Sequence, residues 1–341
     1  MKKKALLLLM IIYLAFIALG LPDALLGSAW NLVRVDLNVS LGSLGIITVV
    51  VYSMSILATF NAPRLLRLLE TKKITIISVV FTGLALIGIS YVNQFYQMIF
   101  FAIPMGIGAG AIDVSLNHYL ASNYKAKHMN YLHSFYGIGV TLGPTIMAYT
   151  LAQNSWRTGY LIVGLLLIGI SLFVLLSFPL WKKETKIDRD ESHTHMSLKE
   201  ILGTKGAKNS ILIFLLYVHI ETLGGVWIAS YMFIQKEISY ASAALFTTTF
   251  FLALTVGRIM SGILSAKFKP NTMIKSGLIL ILVSGLLLLF EFESIYVYFA
   301  IVFLYGFGCA PVFPNMMFTS EPIAFYYRLL RTVIRTSRCQ Y

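Results

Sequence analysis

KKETKIDRDESHTHMSLKEILGTKGAK, residues 182 to 208, is the longest polar segment in a chain of 341 residues that is 58% hydrophobic and only 12% charged. Soluble domains carry about 25% charged residues, so this composition belongs to a bilayer. A helix needs about 20 apolar residues to cross the hydrocarbon. Six such runs precede the polar segment, near 5–28, 42–62, 74–92, 95–123, 129–152 and 158–181, and four follow it, near 209–234, 240–266, 272–290 and 294–317. No soluble domain is left over, and the polar segment is the natural boundary between two helical bundles.

The two sides repeat each other. MGIGAGAIDVSLN from Met105 aligns with YGFGCAPVFPNMM from Tyr305, pairing Gly106 with Gly306 and Gly108 with Gly308, and the same offset of 200 residues lands Arg67 on Lys267. The pattern implies a six-plus-six repeat, an architecture common in transporters, whose substrate site lies near the bilayer midplane between the halves. The reading is an all-α polytopic membrane protein with a two-bundle fold and about ten of twelve expected helices. Its parts are an N-terminal six-helix bundle (1–181), a cytoplasmic linker (182–208), an incomplete four-helix C-terminal bundle (209–317) and a non-spanning basic tail (318–341). A full second half would run to about residue 381. Before residue 318 the chain uses 17 lysines and 6 arginines, whereas the last 24 residues hold no lysine but Arg328, Arg331, Arg335 and Arg338. That switch fits either an altered, frameshifted end, in which case this form is expected to transport poorly, or a basic amphipathic segment lying on the inner membrane surface.

The net charge of +13 is explained by its distribution. With the N-terminus in the cytoplasm, the inside segments collect Lys2 to Lys4, Arg64, Arg67, Lys72, Lys73, Lys125, Lys127, seven basic residues from Lys182 to Lys208, then Lys267, Lys269 and Lys275. The outside segments hold Arg34, Arg157 and Lys236. Basic residues concentrate in cytoplasmic loops, so no nucleic-acid partner is needed to account for the charge. The first apolar run is longer than the usual 7 to 15 residues of a signal peptide core, which makes it an uncleaved span. Cys309 and Cys339 support no disulfide framework.

On a helix Gly106, Gly110, Asp113 and Asn117 fall on one stripe. Small residues permit close helix approach, so the stripe faces protein or a cavity. There Asp113 avoids the cost of about 2.5 to 3.5 kcal/mol for a charge in lipid. A carboxyl placed that way can take up and release a proton. Asp23 follows Pro22, a residue that marks broken or kinked spans. Glu221 sits near the centre of the seventh run and Arg258 in the eighth, where the two could pair across helices in a structural or a transport role. His133 and Trp227 are further cavity candidates, Trp227 able to stack on a sugar face or simply to pack. Gly139 and Gly143, followed by Pro144, form a packing seam with a bend, and Pro311 with Pro314 interrupts the tenth run; such bends suit rocking or gating. Gly106, Gly108 and Ala111 fit a dinucleotide-binding spacing but lie mid-membrane with no preceding strand, so the required context is missing. His193 and His195 belong to a solvated linker rather than a metal site. No nucleophile, base and acid cluster is visible, so an enzyme is not expected, and no cofactor or metal is called for.

The stretch GIGAGAIDVSLNHYLASNYKAKHMNYLHSFYGIGVTLGP (106–144), with LPDALLGSAW, GRIMSG and GFGCAPVFPN, resembles the fucose permease-like sugar/proton symporters of the major facilitator superfamily. The likeness covers residues 1 to about 317. It implies proton coupling through acids in the first and fourth spans, by position Asp23 and Asp113, with Asn117 near the cavity. The loop NAPRLLRLLETKK lacks the glycine and aspartate of the superfamily's loop motif, so that role is not carried over. GVTLGP also resembles the fifth-span motif of drug/proton antiporters, which keeps an exporter open, and a non-transporting membrane protein is the remaining alternative. The expectation is an inner (plasma) membrane secondary transporter whose partners are a small polar solute, protons and lipid, with no obligatory protein partner.

Overall fold

The computed structural model describes residues 2–124, 126–182, 203 and 206–316. Among these the chain is helical throughout: α1 (Lys2–Gly20), α2 (Leu25–Asp36), α3 (Ser43–Leu68), α4 (Thr71–Ser90), α5 (Phe95–Asn123), α6 (Ala126–Leu151), α7 (Trp156–Leu176), a 3-10 turn (Phe178–Leu180), α8 (Ala207–Gln235), α9 (Tyr240–Leu264), α10 (Pro270–Leu287) and α11 (Ile295–Cys309). Nine stretches of the described residues are long and apolar enough to cross a membrane, with α1 and α2 forming one of them. The sequence led us to expect ten. The difference is α6, a 26-residue helix as long as its neighbours, in which His128, His133, Ser134, Thr141 and Thr145 dilute the apolar character. The linker, including His193 and His195, and the tail lie outside the described residues.

The described residues divide into two compact units. One contains α1 to α7 with Gly225–Leu252; the other contains the part of α8 before Gly225 and the residues after Leu252. The linker boundary falls between α7 and α8, but packing draws the adjoining ends of α8 and α9 into the first unit. Gly27 of α2 lies against the Val226 carbonyl, Asn31 Nδ2 donates to the Ala229 carbonyl at 3.3 Å, and Thr145 and Thr248 hydroxyls meet at 3.3 Å.

In lipid there is no hydrophobic gain from pressing one apolar helix on another, so close packing of small residues does the work. In the first unit a Cβ on Gly106 or Gly110 would overlap the Val51 or Ser55 carbonyl of α3, and one on Gly139 or Gly143 would overlap the carbonyl of Ile17 in α1 or of Leu21 in the turn after it. Gly108 sits on Ser78 and Thr82 of α4, and Gly83 of α4 sits on α7 at Ile168 and Gly164. In the second unit Gly308 of α11 packs on the Gly277 carbonyl of α10, and Gly257 of α9 meets Ala310. Gly108 on Ser78 and Gly308 on Gly277 are similar contacts made once in each unit, the glycines 200 residues apart and their partners 199. The outward faces are apolar instead: along α3, Ile46, Val49, Ile56 and Phe60 are all exposed, a stripe suited to acyl chains.

Polar links are few and local. Asp36, closing α2, accepts from Trp156 Nε1 at 3.0 Å and from the Arg157 guanidinium. Arg157 Nη2 also donates to the Val92 carbonyl at 2.9 Å, which ties α2, the α4–α5 connection and α7 together.

Because the Gly110 contact is with backbone, Gly110→Ala is expected to cost about 1 to 3 kcal/mol by overpacking, read as a lower melting temperature of the detergent-purified protein. Gly169→Ala, which meets nothing within 4 Å, should leave the melting temperature unchanged or slightly higher.

Candidate functional site

Pro22 has no N–H, so the Ala18 carbonyl loses its helical partner and the first span opens. Residues 21 to 24 form a turn, held by Asp23 N donating to Gly20 O at 3.2 Å and Leu25 N to Pro22 O at 3.1 Å. The break faces α6 because Gly20, Gly139 and Gly143 let the two backbones touch. Tyr136 lies on that same face of α6, and its hydroxyl donates to Asp23 Oδ2 at 2.6 Å. Asp23 is exposed, as a carboxylate facing an open space is.

The glycine stripe of α5 positions the second acid. With Gly106 and Gly110 fixed on α3, the stripe continues to Asp113 and Asn117, both half-buried. Asn117 Nδ2 lies 2.9 Å from both Asp113 Oδ1 and the Asp113 carbonyl. Asp113 is within electrostatic reach of Asp23 and of His133. His133 is exposed and meets Phe16 of α1 edge-on, with ring centroids 5.8 Å apart. Two carboxyls, an imidazole, a carboxamide and a phenol are therefore gathered from the turn after α1, from α5 and from α6 of one unit. A small cavity beside the break is lined by Pro22, Asp23, Ser78, Thr82 and Ile112, among others. It has room for water but not a sugar, and Asn117, His133, Glu221 and Trp227 do not line it.

The remaining candidates separate. Trp227 is partly buried against the main apolar core of the first unit. Pro144 lies inside α6, which runs on without a break to Leu151. Pro311 lies at the turn after α11, and Pro314 in the short helical stretch that follows. In the second unit Arg258 Nη2 pairs with Glu221 Oε1 at 3.0 Å. The Tyr217 hydroxyl lies 2.7 Å from Glu221 Oε2 and 2.6 Å from the Cys309 carbonyl, while Tyr305 donates to the Ile220 carbonyl at 2.7 Å. Sequence reasoning missed Tyr136 and Tyr217. Tyr136 stands three and seven residues before Gly139 and Gly143, and Tyr217 four before Glu221, so helical spacing could have found both.

The chain is an integral, multi-pass helical membrane protein with carboxyl groups set inside its bundles. It belongs to the Major Facilitator Superfamily, whose family model matches residues 12–321. A curated relative, Bypass of stop codon protein 6 of Saccharomyces cerevisiae, is 26% identical over 258 residues, covering 65% of this chain and 51% of that protein. The chain thus spans about half the length of the curated relative it matches. Among solved structures, a bacterial homologue of the human lysosomal transporter Spinster is similar with a TM-score of 0.65 at 15% identity, covering 91% of this chain and 72% of that one. The nucleoside transporter NupG gives 0.60 at 18% identity over 92% and 80%. The xylose transporter XylE from E. coli gives 0.63 at 13% over 94% and 88%. These likenesses show a shared fold.

The Tyr136 hydroxyl is the donor to Asp23, so Tyr136→Phe should shift the Asp23 carboxyl stretch in difference infrared spectra of the aspartate-labelled protein. The melting temperature should hardly move, since the ring stays in place; an unshifted band would remove this hydrogen bond from the site.

Proposed function

We propose that the chain is a secondary transporter that moves a small polar solute, most simply a sugar, across the inner (plasma) membrane by alternating access coupled to protons. The N-terminus and the 182–208 loop lie in the cytoplasm, and the two bundles are the sequence halves on either side of that loop. Asp113 is the main proton-binding carboxyl and Asp23 the second. Asn117, His133, Glu221 and Trp227 border the solute's route, and the glycine seams with Pro144, Arg258, Pro311 and Pro314 serve the moving helices. The fucose permease-like resemblance and the superfamily membership support this reading. The observation that carries it is the convergence of Asp23, Tyr136, Asp113, Asn117 and His133 where the first span breaks. Ionisable side chains inside a membrane bundle mark ion or substrate pathways, and unwound helix at membrane depth is tolerated where it lines a cavity.

Proteoliposomes holding the full chain, given a proton gradient and a panel of labelled sugars, test the reading. Asp113→Asn is expected to lower proton-driven accumulation about tenfold or more, since it removes a titrating group from the membrane path, while solute counterflow without a gradient survives. Unchanged accumulation would return Asp113 to a structural role. Proton-driven export of lipophilic cations with no sugar exchange would favour the drug/proton antiporter suggested by GVTLGP, and no substrate-dependent exchange of either kind would defeat the transporter reading.

A further inference from the structure

α8 carries an imidazole that the site described above does not use. His219 lies about 18 Å along the helix from Ala207 and about 24 Å from Gln235 by the helical rise, well within a hydrocarbon layer of about 30 Å. Its ring is exposed, with Nδ1 2.8 Å from the Leu215 carbonyl. A carbonyl only accepts, so Nδ1 carries the hydrogen and the neutral ring presents its lone pair on Nε2. Acyl chains offer that lone pair no donor. Histidines within membrane spans face the bundle interior or a water-filled space.

The helix decides which way this one faces. Three residues mark the side of α8 that packs inside the second unit: Phe214 meets Phe313 with ring centroids 5.1 Å apart, Tyr217 reaches the Cys309 carbonyl, and Glu221 pairs with Arg258. At about 100° per residue His219 points away from all three. It falls instead on the stripe of Val226 and Ser230, at i, i+7 and i+11. Gly27 of α2 touches α8 at Val226, the nearby Ala229 carbonyl accepts from Asn31, and Ser230 is buried. Toward Gln235, then, this stripe bears on α2 and not on lipid. About 10 Å back along the helix the same stripe carries His219 with its ring uncovered. Leu215, Leu216 and Leu223 beside it are exposed too, so Nε2 is a single acceptor set in an apolar wall.

We propose that His219 lines a water-filled path inside the membrane and that its Nε2 accepts a hydrogen bond from a hydroxyl of the transported solute. The solute class this selects carries a hydroxyl donor beside an apolar face that can lie along the leucines, as a pyranose ring with its C–H face does. The assignment deepens the transport reading above and rests on it for the solute, though not for the path.

The full chain in liposomes supplies two measurements. In the first, His219→Cys is treated with a charged methanethiosulfonate, which modifies a thiol only where water reaches it. Modification above that of the unsubstituted chain, which carries Cys309 and Cys339, is expected, and slower modification in the presence of an exchanged sugar. An unmodified His219→Cys thiol places the position in lipid and overturns the proposal. In the second, counterflow is measured with a sugar and its monodeoxy derivatives. His219→Leu is expected to raise the concentration for half-maximal exchange about five- to tenfold, the loss of one hydrogen bond between neutral partners, and to erase the penalty for one deoxy position. His219→Gln keeps an acceptor and should restore both. Unchanged half-maximal exchange and unchanged deoxy discrimination in His219→Leu would remove the hydroxyl contact. If the thiol is modified but the wild-type chain exchanges no sugar, the transport reading fails and the water-filled path stands.

Discussion

The contact on which the rest of the first unit depends is the backbone seam between α1 and α6. Gly20, Gly139 and Gly143 each stand where a Cβ would overlap a carbonyl across the seam. Such contacts hold helices together in lipid, where burying a leucine gains little over leaving it among acyl chains. The seam also fixes the register. It sets Tyr136 beside the turn at Pro22, and only in that register can the phenol reach Asp23. The break in the first span and the seam support each other, because the backbone groups freed at residues 21 to 24 lie beside a partner helix and not in lipid.

The same economy explains why polar side chains are sparse and sit where they do. The outward face of α3 is mostly apolar, with Ile46, Val49, Ile56 and Phe60 exposed, and the inward faces carry glycine where backbones touch. Polar groups occupy the gaps that remain: the Asp36, Trp156 and Arg157 cluster at one end of the bundle, the acids at the break, and the Glu221 network in the second unit. An amide, phenol or guanidinium partner accompanies Asp23, Asp36, Asp113 and Glu221, which is how a bundle in hydrocarbon tolerates them.

Much of this was legible in the residues because the bilayer leaves few options. Apolar runs gave the helices, the glycine spacing of α5 gave the face that meets α3, and Pro22 gave the break. The tenth expected span shows the limit of hydropathy. Residues 126–151 are helical, but the polar side chains along α6 lower its apolar average, so composition and helicity part company there. The pairing of Asp23 with Tyr136 was not legible, since it depends on how far α1 slides along α6, which three-dimensional glycine contacts decide. The likeness of Gly108 on Ser78 to Gly308 on Gly277 needed the structure for the same reason: the sequence shows which glycines recur, and only the fold shows that they recur in similar contacts.

The two acids differ in their partners. Asp23, in the turn after α1, accepts a hydrogen bond from Tyr136, and no cation is paired with it among the ion pairs of the described residues. Glu221, inside the unbroken α8, is paired with Arg258 of α9 at 3.0 Å and lies 2.7 Å from the Tyr217 hydroxyl, which also reaches the Cys309 carbonyl of α11. A break in a span lets a carboxyl meet a phenol across a seam, whereas an acid within a continuous membrane helix is accompanied by a cation from a neighbouring helix, and that difference arises from the backbone around each acid, not from the acids themselves.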